Sequence, residues 1–420
     1  MMNAVKHPLI GDTLYTATHK TGLRIVVWPQ PEASSVYALF ATRYGSVHTT
    51  LPTADGGTEV VPEGIAHYLE HKLFESEGED AFTRYAATGA NANAYTSFDR
   101  TAYLFHATEN VLPSLEILLD FVQDPYFTAE TVQKEQGIIG QEIRMGEDQP
   151  HRRVFFNMLK AAYHNHPVRV DIAGTVESIS HITPELLYRC YNRYYNLHNM
   201  VLVVAGNITP EEVEETADRL LKPSEDFVPV PYTCDEPDTV KEEYVECSMP
   251  VASPLFYLAF KEPVQEQNAE SIAAARLLGE LIAGKSGTLY NRLMDEGLIN
   301  DQFEGEYFGG PGYGLWLFAG ESADPKRVQA IIKEEIARMQ KEGIDPAAAE
   351  AVRRGAYGRL VAGLDDPSDC AELILGNLLD GIEPLEELTA LKDLTVETLQ
   401  EQLCRRINVD VCSLSVINPV

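Results

Sequence analysis

The segment Gly64-Ile-Ala-His67-Tyr-Leu-Glu70-His71-Lys-Leu-Phe74 holds the densest chemistry in the chain. On a helix, residues four apart stand one above the other on the same face, so His67 and His71 can present both imidazoles to one metal ion. Glu70, three residues after His67, reaches that face as well. Two imidazoles and a carboxylate with a fourth position open to water suit zinc, which lowers the pKa of a water to about 7. A carboxylate left free nearby can take the water's proton and pass it to a leaving amine, a role that fits Glu70. Two histidines at this spacing also occur as ordinary half-buried helical pairs, so a third ligand has to decide. Glu135 and Glu142 are seven apart in a later helical stretch and share one face over two turns. Spacing alone does not choose between them.

The elements that must hold these groups can be read as patterns. Leu23–Trp28 and Val36–Tyr44 are strand-like, a helix is expected around Glu63–Phe74, Gly89–Asn93 is a glycine and asparagine corner, and Tyr95–His106 reads as a paired strand. Helical stretches at Val111–Gln123, Ala129–Met145 and Pro184–Tyr195 precede an apolar strand, Met200–Ala205. Pro223, Pro229, Pro231 and Pro237 mark a linker. Beyond it the order recurs: strand Phe256–Lys261, helix Ala269–Ala283, strand-like Gly314–Ala319, helices Asp324–Glu342, Pro346–Gly363 and Asp369–Leu379, and strand Val409–Val416. The pattern predicts an α+β protein of two similar domains from an internal duplication, each an antiparallel-rich sheet with helices packed on it. The expected boundaries are 1–222 for a metal-binding domain, 223–240 for the linker and 241–420 for a second domain without metal ligands. All 11 histidines fall between His7 and His198, in the first of these.

From Glu63 to about Gly206 the sequence resembles the catalytic half of the pitrilysin and insulinase family of zinc metallopeptidases, which includes the mitochondrial processing peptidases. His-x-x-Glu-His is the inverzincin order. The resemblance implies that Glu142 is the third ligand of one zinc ion per chain and that Glu135 supports the ligands from behind, joining Glu70 as a catalytic candidate. Gly89-Ala-Asn-Ala-Asn93-Ala-Tyr-Thr is similar to the family's Asn-Ala-x-Thr strand, which implies that Asn93, Ala94 and Tyr95 line an edge where an extended peptide adds by main-chain hydrogen bonds. It also implies a clamshell chamber enclosed by the two domains, and a bacterial type found as paired, unequal subunits.

The chain departs from that family in its second half. Competent members carry an Arg and a Tyr in a segment resembling Arg-x-x-x-Gly-Leu-x-Tyr. Here Gly297-Leu298 fits, but the Arg position is shortened to Met294-Asp295-Glu296 and the Tyr position is Asn300. Tyr307 or Tyr313 could stand in for the tyrosine, yet no arginine lies between Arg292 and Arg327. The expectation is a zinc endopeptidase or oligopeptidase whose Arg and Tyr come from a homologous partner in a heterodimer, or from a homodimer. The alternative is a non-hydrolytic peptide-binding subunit of such a pair.

A net charge of −31 argues against nucleic acid and anionic membrane as partners. Six scattered cysteines and no apolar leader suit a cytoplasmic protein with reduced thiols. Gly279-Glu-Leu-Ile-Ala-Gly284-Lys285-Ser286 matches the P-loop string, but its leucines continue a helical spacing, so a nucleotide hydrolase is the least favoured reading. His164-Asn-His166 is expected as surface polarity, and Glu75, Glu77, Glu79 and Asp80 as an acidic rim.

Overall fold

A strand buried at every position, as Met200–Gly206 is, needs a sheet covered on both sides. In the computed structural model, which describes residues 2–53, 56–225, 227, 234–264 and 267–420, that strand sits within a seven-stranded sheet. In chain order the first strands are β1 (Asn3–Lys6), β2 (Thr13–Thr18), β3 (Arg24–Pro29), β4 (Val36–Thr42), β5 (Thr50–Pro52), β6 (Thr58–Val60), β7 (Asn91–Thr96), β8 (Thr101–Ala107) and β9 (Met200–Gly206). The sheet order is β1-β2-β3-β9-β4-β8-β7, with β5 and β6 paired separately. Within the large sheet β3 and β9 run parallel, and the other neighbours are antiparallel.

A second sheet contains β10 (Tyr244–Met249), β11 (Leu255–Lys261), β12 (Glu304–Gly310), β13 (Tyr313–Glu321) and β14 (Cys412–Pro419), ordered β10-β14-β11-β13-β12. Here β10 and β14 are the parallel pair. Order and directions repeat those of β3-β9-β4-β8-β7, so the fold is α+β with two similar sheets, as the recurring pattern predicts.

The compact units are not contiguous in sequence. One comprises residues 1–143, 171–231 and 361–385, and the other 144–170, 232–360 and 386–420. Boundaries at 222 and 240 do not anticipate the two inserted segments, and the reason lies in the covered faces. In the first unit Ile25, Val27, Phe40 and Leu202 pack under helices that include Ile65–Leu73 and Val111–Phe121. The opposite face, with Val26, Trp28, Leu39 and Val203, is closed by Cys370, Ile374, Leu375 and Leu378 of the helix Pro367–Leu379. In the second unit the helix Pro150–Ala162 packs on β11 and β14, where Val154 meets Leu255 and Ile417.

Two further differences are local. The expected strand Tyr95–His106 is a hairpin of β7 and β8, closed where Ser97 N–H donates to Arg100 O at 2.8 Å. Of the Pro-rich linker, Pro229 and Pro231 lie outside the described residues. Its far end is fastened within the second unit: Glu236 accepts the amides of His164, Asn165 and His166 and pairs with Lys261 Nζ at 2.5 Å. Among the described residues no helix is long and apolar enough to cross a membrane.

His166 is fully buried, with Nδ1 accepting from Val168 N–H and Nε2 against the Pro311 carbonyl, both at 3.0 Å. Burial, only partly offset by the Pro311 contact, pushes its pKa down to about 4. The unfolded chain takes up this proton near pH 6.5 and the folded one not until about 4, so the stabilisation is whole above that window and drains as pH falls through it. His166→Asn is expected to remove about 2 kcal/mol of the stability lost between pH 7 and pH 5. Urea midpoints at the two pH values measure this, and an unchanged difference would contradict it.

Candidate metal centre and peptide edge

The helix Ile65–Leu73 begins at Gly64, whose φ of +88° favours glycine. A Cβ there would lie 2.3 Å from the Ala173 carbonyl oxygen, so glycine also permits the close approach that sets the helix in place. Ile65, Ala66, Leu69 and Leu73 go to the core. That leaves His67 and His71 side by side on the other face, with ring centroids 4.6 Å apart.

The helix Ala129–Glu147 brings its carboxylates to these rings. Glu142 Oε1 lies 3.5 Å from His67 Nε2, and Oε2 lies 3.6 Å from His71 Nε2. Among the described residues His67, His71 and Glu142 form the only group of three or more potential metal donors gathered this closely, all within 4.8 Å of one another. Tetrahedral zinc with bonds of about 2.0–2.1 Å separates neighbouring donors by about 3.3–3.4 Å, and the two spacings from Glu142 to the imidazoles lie within a few tenths of an ångström of that. The donor set therefore fits zinc. Glu135 meets the other ring nitrogen, with Oε1 2.9 Å from His71 Nδ1. Its carboxylate is buried, and this contact fixes the ring orientation in which Nε2 faces Glu142. Glu135 thus reaches the donors through His71, as a positioning residue.

Burial alone would lower the His71 pKa, but the Glu135 hydrogen bond and the nearby charges of Glu70, Glu135 and Glu142 outweigh it and raise it. The site is electronegative before any cation enters. Burial raises the pKa of Glu70, opposed by hydrogen bonds from Thr96 and by His71. Behind the helix the fully buried Lys72 pairs with Glu75.

β7 lies at the edge of its sheet, beside the histidine helix. Because Ser97 and Arg100 bond across the hairpin, the antiparallel alternation turns the backbone groups of Ala92, Ala94 and Thr96 to the free edge. Ala94 N–H is bonded to Asn93 Oδ1 at 2.9 Å. Of the three residues expected on the peptide edge, Ala94 therefore offers main-chain groups and Asn93 a side chain that covers one of them. The Tyr95 side chain is directed elsewhere, its hydroxyl donating to Glu372 at 2.8 Å on the face closed by the helix Pro367–Leu379.

The remaining sequence candidates lie apart. Gly279–Ala283 is helical, Gly284 caps that helix, and Lys285 Nζ donates to the Asp301 carbonyl, so no phosphate-wrapping loop forms. His166 is buried, contrary to the expected surface polarity, because its two ring nitrogens are satisfied by backbone. Asp80, of the acidic rim, caps the helix Ala81–Thr88. Thr96, which hydrogen-bonds Glu70, was within the Asn-Ala-x-Thr string but not singled out among the candidates.

Residues 60–176 match the family described as "Insulinase (Peptidase family M16)", and residues 181–355 match "Peptidase M16 inactive domain". Along their full lengths the chain is 36% identical to the Bacillus subtilis protein named "Uncharacterized zinc protease YmfH". The crystal structure of a putative M16-like peptidase from Alicyclobacillus acidocaldarius superposes with a TM-score of 0.91 at 34% identity, over 99% of this chain and 100% of that one. Pitrilysin, at 16% identity and a TM-score of 0.78 over 99% of this chain and 46% of its own, is alike in fold. This chain belongs to the insulinase family, peptidase family M16, and relatives matched along 92% or more of it include two Bacillus subtilis proteins named zinc proteases.

Removing the carboxylate behind His71 should loosen the donor triangle without deleting a donor. Glu135→Ala is expected to weaken zinc binding by about 10- to 100-fold. Competition against a chromophoric chelator reads this, and wild-type affinity in the variant would exclude the positioning role.

Proposed function

We propose that the chain is a zinc-dependent endopeptidase or oligopeptidase, with His67, His71 and Glu142 as the ligands of one zinc ion and Glu70 as general base. The observation that carries this reading is the donor triangle at 3.5 and 3.6 Å, with the half-buried carboxylate of Glu70, on the helix of the two histidines, belonging to no donor pair. Bound there, zinc supplies Lewis acidity toward a water and a peptide carbonyl. The free edge of β7 holds the peptide extended through main-chain bonds at Ala92 and Ala94, which read shape more than side-chain identity. Glu70 then accepts the proton of the attacking water and delivers it to the leaving nitrogen.

The same proposal includes a homologous partner chain. Tyr307, one possible stand-in for the family's tyrosine, donates its hydroxyl to Glu262 at 2.6 Å, and Tyr313 is buried against His166. Arg292 is engaged by Glu296 and Glu334. These groups are committed within the second unit, so the substrate-holding Arg and Tyr are assigned to a partner.

Glu70→Gln is expected to keep zinc at one per chain and to lower turnover of an unstructured peptide by at least about 10²-fold. Retained turnover would remove the assignment of the base, and turnover insensitive to chelation would remove zinc. Adding a co-expressed homologous chain is expected to raise turnover by about tenfold or more. Equal activity from the isolated chain would refute the partner.

A further inference from the structure

We infer that Thr96 is a positioning residue that ties the carboxylate of Glu70 to the edge strand β7, so that one element orients both the base and the peptide. The inference rests on the peptidase reading above. Thr96 Oγ1 donates to Glu70 Oε2 at 2.6 Å. Among the described residues no other side chain hydrogen-bonds Glu70. The neighbouring hydroxyls are already committed: Thr101 Oγ1 donates to the Tyr44 carbonyl at 2.8 Å, and Tyr103 and Tyr195 bond each other at 2.9 Å.

This contact has a consequence for the strand. β7 turns the groups of Ala92, Ala94 and Thr96 to its free edge, and at the last of the three the side-chain hydroxyl is given to Glu70. A peptide added along β7 therefore finds the N–H of Ala92 and the carbonyls of Ala92 and Ala94, the Ala94 N–H being covered by Asn93 Oδ1, and meets the base where the ladder would continue. Thr96 marks the end of the main-chain ladder and so sets which peptide bond lies at Glu70. A hydroxyl has one proton to donate, and an ionised carboxylate accepts only. The bond thus holds one rotamer of Glu70. β-Branching at Thr96 suits the strand and restricts its own side chain, so little freedom is left between the two elements.

Thr96→Val keeps the branching and shape of the side chain and removes the donor, and Thr96→Ser restores the donor. In the zinc-loaded full chain, with the homologous partner present, Thr96→Val is expected to lower kcat by about 10- to 100-fold with KM within about twofold of wild type. Thr96→Ser should recover most of the loss, and zinc stoichiometry should stay at wild type in both. Crystal structures of wild type and Thr96→Val should show the Glu70 carboxylate turned in the variant, with His67, His71 and Glu142 in place. An unmoved carboxylate, or an unchanged kcat, overturns the inference. A wild-type protein that binds zinc but cleaves no peptide sinks the peptidase reading instead, and the carboxylate position then still decides whether Thr96 holds Glu70.

Discussion

Gathering negative charge around two imidazoles is the constraint on which the first unit is built. Glu70, Glu135 and Glu142 approach the same pair of rings, and like charges a few ångströms apart at the margin of a protein repel by about 4 kcal/mol at an effective dielectric of 20. Each carboxylate has a separate answer. Glu135 is balanced by His71 and, at longer range, by the buried Lys72. Glu70 is held by the hydroxyl of Thr96. Glu142 faces the two Nε2 atoms and remains about half exposed, leaving an electronegative opening shaped for a cation.

Such an arrangement needs supports stiff enough to resist it. The histidine helix is short, nine residues, and has no side-chain cap at its start, so its own hydrogen bonding would not keep it folded. Its position comes from packing: Tyr68 and Leu69 are fully buried, Tyr68 donates its hydroxyl to the Val132 carbonyl, and Gly64 fits against Ala173. The Tyr68 bond joins the histidine helix to the glutamate helix one turn before Glu135. Ligand spacing is thereby set by backbone and core. Covering both faces of the sheet gives the same rigidity to β9 and β4, behind the hairpin whose outer strand β7 forms the free edge.

The strong periodic features were legible in the sequence, and the exceptions share a cause. His67 and His71 on one helical face follow from spacing, and Met200–Ala205 reads as a buried strand because it is uniformly apolar. The choice of Glu142 over Glu135 did not follow from spacing, since residues seven apart on one helix point the same way. What separates them is depth: Glu135 meets Nδ1 and Glu142 faces Nε2, a difference of two helical turns against a fixed pair of rings. The turn within Tyr95–His106 was hidden because Ser97-Phe98-Asp99-Arg100 holds neither glycine nor proline and Phe98 prolongs the strand-like run of Thr, Tyr and Phe. The placement of Pro150–Ala162 and Pro367–Leu379 could not be read locally, because an amphipathic helix specifies that it covers an apolar face and not which sheet supplies it.

Duplication clarifies why, among the described residues, only the first unit gathers potential metal donors. The second sheet repeats the strand order and directions of the first, so the scaffold alone does not create a metal centre. At its interior it places a different polar device: Arg406 pairs with Glu262 at 2.8 Å with both side chains nearly inaccessible, and Tyr307 donates to the same carboxylate. A buried pair of this kind contributes little net stability over apolar packing, but removing either partner leaves an uncompensated charge. The tyrosine and glutamate of that unit are thus committed to one another, and a catalytic use for them would require breaking the pair. In the first unit the polar groups stop short of such mutual saturation, because among the described residues Glu142 faces the two imidazoles and no arginine or lysine. That shortfall of positive charge, with the fold held in common, is what separates a unit able to take a cation from one that is closed to it.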